Sequence, residues 1–180
     1  MKRQLSNVSS VIGLLLALSV FSVSAHDGNH LHAKLVGTQE VPVVSSLASG
    51  DLDLRIESDS DVHFKLTYEG LQGGDTLFAH IHLGQKSVNG GVMTFFCGGG
   101  TKPTPCPNKS GTVEGDITPA DILGLGTQQL PAGGFEQFLR ALRNGTAYAN
   151  VHTQASPGGE IRGQIREDEG RRHDHDDHNH

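Results

Sequence analysis

Three stretches of the chain alternate apolar and polar residues with period two. In "DLDLRIES" Leu52, Leu54 and Ile56 share one side, and Asp51, Asp53, Arg55 and Glu57 the other. "DVHFKLTY" sets Val62, Phe64, Leu66 and Tyr68 inward, and "EIRGQIR" sets Ile161 and Ile165 against Arg162, Gln164 and Arg166. Successive side chains of a strand point to opposite faces, so each segment predicts a strand with one buried face. Weaker strand signals lie near 31–36, 77–83, 92–96, 112–117 and 147–153, between Gly-rich turns. Helix signals are few. "GGFEQFLRALRNG" places Phe135, Phe138, Leu139 and Leu142 at helical spacing, with Gly145 as the stop. Thr118 before Pro119 predicts one further short helix. The expected fold is all-β: a Greek-key sandwich or barrel of about eight strands, with one or two short connecting helices.

The ends differ from this pattern. Residues 1–25 have a basic start at Lys2 and Arg3, an apolar run from Val11 to Val20, and small residues Val23-Ser24-Ala25. This has the form of a secretory signal peptide, and the run is short for a membrane span. The expected organisation is a signal peptide at 1–25, one domain at 26–166, and a charged His/Asp-rich tail at 167–180, expected to be disordered. A periplasmic or secreted location follows from that reading.

The whole chain carries 14 Lys+Arg against 20 Asp+Glu, a formal charge of −6. Removing residues 1–25 takes away Lys2 and Arg3 and no acid, which makes the remainder more acidic by two charges. A basic face for nucleic acid or anionic lipid is therefore not expected. The two cysteines, Cys97 and Cys106, bracket "CGGGTKPTPC". In an oxidising compartment they are expected to pair, with free thiols or metal ligation as the alternatives.

Histidine is abundant, with 11 residues. "AHIHLG" places His80 and His82 on one side of a strand, where two imidazoles can converge on one ion. Leu77, Ala79, Ile81 and Leu83 take the other side. In "AYANVHT", Tyr148, Asn150 and His152 share a face opposite Ala147, Ala149 and Val151. If the two strands adjoin, three imidazoles meet, a ligand set that suits copper or zinc with an open fourth position. His63, His30 and His32 are possible additional ligands, the last two from an edge strand. His26 would gain a free amino group on cleavage after Ala25. Tail residues His173, His175, His178 and His180 could bind metals loosely. Imidazole affinity is expected to weaken below about pH 6, where free histidine protonates.

"LVGTQEVPVV", "LTYEGL", "AHIHLG", "NGGVM" and "GTAYANVHTQASPGGEIRGQI" occur in the order found in the CHRD domain, the module named after chordin, and the chain resembles that family from about Leu31 to Arg166. The resemblance implies an all-β extracellular-type domain and no settled activity. "HIHLG" and "NVHT" are more faintly similar to copper-ligand strands of Cu/Zn superoxide dismutase, although no bridging histidine or dense zinc loop is present. Three functions follow as expectations: an exported protein binding copper or zinc on His80, His82 and His152; a module binding a protein or glycan without metal; or a copper-only, superoxide dismutase-like enzyme with an exposed site. No GxSxG, P-loop or GxGxxG setting occurs.

Overall fold

A computed structural model describes residues 29–167. The leader, His26 and most of the tail, including its four histidines, lie outside the described residues. Nine strands run in order: β1 (His30–Val36), β2 (Ser49–Ser58), β3 (Asp61–Glu69), β4 (Thr76–Leu83), β5 (Gly91–Cys97), β6 (Gly111–Ile117), β7 (Ala147–Thr153), β8 (Ile161–Gln164) and β9 (Arg166–Glu167). One helix, α1 (Phe135–Arg143), precedes β7.

All pairings are antiparallel, in the spatial order β5-β4-β7-β8-β1-β2-β3-β6. The short β9 continues the line of β8 and pairs with β1. The outer strands β5 and β6 lie against each other, so the sheet nearly closes into a barrel. Strand β7 returns beside β4 after β5 and β6, which is a Greek-key connection.

Inward residues fill the barrel as the alternation predicts. Leu52, Leu54, Ile56, Val62, Phe64, Leu66 and Tyr68 are buried, as are Ala79, Ile81, Ala147, Ala149 and Val151. Leu77 and Leu83 are only half-buried. The register of β4 against β7 shifts between Thr76 and Phe78, which takes Leu77 out of the regular alternation. The larger correction concerns β7 and β8. Every residue of both strands is buried, including the polar face expected to meet solvent. Loops folded across the outside of the barrel cover that face.

The helix forms where its spacing predicts, with Phe135, Phe138, Leu139 and Leu142 buried. Gly145 at φ 64° ends it: its N–H donates to Leu142 O and that of Thr146 to Ala141 O. That pair of bonds satisfies carbonyls the helix leaves open, and the left-handed backbone is one that glycine adopts without steric cost. The Thr118-Pro119 signal produces a single 3-10 turn, Pro119–Asp121. Asp121 Oδ2 accepts from the Thr118 N–H and hydroxyl there. Cys97 and Cys106 are joined as a disulfide, which fastens the β5–β6 connection to the end of β5.

Candidate metal centre

Strands β4 and β7 adjoin, with Phe78 opposite His152, His80 opposite Asn150 and His82 opposite Tyr148. Period two puts all six side chains on the outer side of the barrel wall. The condition that the sequence left open is therefore met. One ligand atom from each of His80, His82 and His152 lies within 4.8 Å of the others.

The rings are not solvated. His80 is 4 %, His82 8 % and His152 5 % exposed. This corrects the expected exposed site. Phe78 packs on His80 and His152 at centroid distances of 5.3 and 4.6 Å, and Phe95 on His80 at 5.0 Å. Tyr148 stacks on His82 at 4.5 Å, with 6° between the planes. The loops carrying Gly90 and Pro157 close over the remainder.

Those loops also orient the rings. His82 Nδ1 lies 2.8 Å from Gly90 O, and His152 Nδ1 lies 3.0 Å from Pro157 O. A carbonyl can only accept, so the neutral His152 ring carries its proton on Nδ1 and leaves a lone pair on Nε2; His82 faces an oxygen acceptor at each nitrogen, Gly90 O and Asn150 Oδ1, and its one proton serves only one of them. His80 Nε2 is 2.6 Å from His152 Nε2 and donates to that lone pair. His80 Nδ1 is then a bare acceptor, buried with no partner. Burial pushes His80 down to about 2 and His152 down to about 4, and lowers His82 as well. His80 and His152 are thus neutral well below pH 6, and proton competition at this group moves to more acidic pH than free imidazole would give.

A polar layer surrounds the three rings. Asn150 Oδ1 is 3.1 Å from His82 Nε2. The Asn150 amide also meets the carboxyl of Glu40, which burial raises to about 7 against the opposing pull of Arg162. Arg162 itself is 2 % exposed and sits over the Tyr148 ring, 3.4 Å from its centroid. Its guanidinium donates to Gln85 O, Val88 O and Asn89 Oδ1, tying down the β4–β5 loop that presents Gly90 to His82.

The other proposed ligands lie elsewhere. His63, on β3, meets Asp116 at 2.8 Å and Glu114 at 3.3 Å across β6, and the Asp116 carboxylate raises its pKa. His32 lies 3.4 Å from Asp51. His30 shares its strand, and β1 is an interior strand between β8 and β2, not an edge. Neither β1 nor β3 contributes to the three-histidine group. Sequence reasoning placed Asn150 and Tyr148 on the right face without giving them a role. It missed Glu40, whose only signal was its place in "LVGTQEVPVV", and took Arg162 for a solvated residue.

The fold and this group define an all-β domain with a buried histidine cluster on its outer wall. The family model of the CHRD domain matches residues 31–165, and the chain belongs to that family. No curated protein and no solved structure matches it. Membership and the disulfide suggest an extracellular-type domain. Among the described residues no helix is long and apolar enough to cross a membrane.

Proposed function

We propose that this chain is an exported protein that binds a copper or zinc ion on His80, His82 and His152. The observation that carries the reading is the convergence of three neutral imidazoles within 4.8 Å. Their chemistry fits such an ion. His82 and His152 are oriented by backbone carbonyls at Nδ1, the outer support that metal-bound histidines receive, and His152 Nε2 carries a lone pair. The third has a buried nitrogen without a partner. An ion would replace the hydrogen bond between His80 and His152 and satisfy nitrogens that the protein alone leaves in competition. Such a site supplies binding and storage. The leader-like N-terminus supports delivery to the periplasm or the exterior.

The test is metal-dependent stabilisation of the full chain, with His26, His173, His175, His178 and His180 changed to Asn so that loose sites are removed. An ion that binds only the folded state, at about 100 times its Kd, adds roughly 2.7 kcal/mol. The melting temperature should rise accordingly, and the rise should vanish in a His80→Ala/His82→Ala/His152→Ala variant. Equal binding by that variant and its parent would refute the reading. The single variant His152→Asn provides the same comparison if the triple variant is unfolded.

A further inference from the structure

We propose that the three-histidine group selects monovalent copper, Cu(I), over Zn(II) and Cu(II). This rests on the reading of the group as a metal site and adds the charge of its ion.

The first argument is charge. The converging ligands are three histidines, with no carboxylate or thiolate among them. The whole charge of the ion therefore stays on the site. The cost of burying an ion grows as the square of its charge, so a divalent ion is penalised about four times as heavily as a monovalent one. The surroundings reinforce this. Arg162 lies over Tyr148, the ring stacked on His82, and places a fixed positive charge close by. The nearby acid, Glu40, is itself buried, with Oε1 unpartnered, and burial raises its carboxyl to about 7, so it supplies only part of a negative charge near neutral pH.

The second argument is coordination. Zn(II) held by three protein ligands completes its shell with water or substrate, and Cu(II) favours a tetragonal arrangement. Here the rings are at most 8 % exposed and are walled by Phe78, Phe95 and Tyr148. That environment offers an incoming divalent ion little water. Cu(I), a polarisable ion without ligand-field preference, is content with two or three nitrogens and an apolar wall. The sequence alone left the ion as copper or zinc, and burial favours the monovalent form of copper.

The experiment compares three ions on the full chain carrying the five His→Asn changes above. Cu(I) is titrated anaerobically against a chromogenic Cu(I) chelator. Zn(II) is titrated against a fluorescent zinc chelator, and Cu(II) is followed by electron paramagnetic resonance. Cu(I) should bind at least about 100-fold more tightly than either divalent ion, an estimate set by the desolvation difference. His80→Ala and His152→Ala should each weaken Cu(I) binding by a similar factor. Imidazole 15N shifts on the unmutated triad provide a readout that does not depend on those variants folding: Cu(I) should move His80, His82 and His152 together. Tighter Zn(II) or Cu(II) binding that moves these same rings would overturn the monovalent preference and leave the metal site standing. No shift of these rings with any of the ions would overturn both.

Discussion

Replacing Arg162 with Met tests whether one buried cation holds the cover of the histidine group in place. Met keeps most of the length and apolar contact of the stem and removes the guanidinium. Three hydrogen bonds to the 85–89 segment are lost, at 2.9 to 3.2 Å, together with the contact over Tyr148. Each bond contributes about 1 kcal/mol net, because its acceptors sit on an exposed loop and return to water when released. The cation–π contact adds about 1–2 kcal/mol at a desolvated site. Relief from burying a charge at 2 % exposure offsets part of this loss. A net destabilisation of about 2–4 kcal/mol follows, which lowers the melting temperature by roughly 5–15 °C for a domain of this size. The loss should also be localised. Hydrogen exchange at Gln85 to Gly91 should accelerate more than in β2 or β3, because the β4–β5 loop loses its anchor while the opposite wall keeps its contacts. A melting temperature within about 2 °C of the parent, with unchanged loop protection, would refute the argument.

Other predictions follow from the same geometry. Unfolded histidine titrates near its ordinary value of 6.5, whereas burial lowers His152 to about 4 and His80 to about 2. At these two histidines the unfolded state therefore binds more protons below pH 6.5, and although Glu40, raised to about 7, opposes them with one proton, the metal-free protein should lose stability as pH falls from there toward 4. Urea midpoints that stay level between pH 7 and 5 would count against this, and His152→Asn should flatten the profile. The Cys97–Cys106 bond closes a short loop with a sequence separation of 9. Cys97→Ser/Cys106→Ser should cost about 2–3 kcal/mol in the chain-entropy view, measured by denaturant unfolding of the oxidised parent and the variant. A Cβ at Gly90 would lie 1.7 Å from Leu83 O, a backbone atom. Gly90→Ala should therefore displace the carbonyl facing His82 and destabilise by about 2–3 kcal/mol; a crystal structure with Gly90 O still at hydrogen-bond distance from His82 would contradict this.

Hydrophobic periodicity, two for the strands and helical for α1, determined these elements because it records which side of each segment leaves water, and that is a local property. Leu52, Leu54 and Ile56 turn inward whatever their neighbours in the sheet. The same pattern assigned His80, His82 and His152 to the outer face of their strands. It could not show that β4 lies beside β7, since that pairing joins residues some 70 positions apart, and nothing in either segment names its partner. Nor could it distinguish an outward face from an exposed one. Arg162 and Gln164 read as solvated because polar residues usually are, and the three imidazoles read only as outward-facing candidate ligands. Only the tertiary structure laid the loops of Gly90 and Pro157 over them, and that burial turned a polar strand face into a dry, neutral group of ligands.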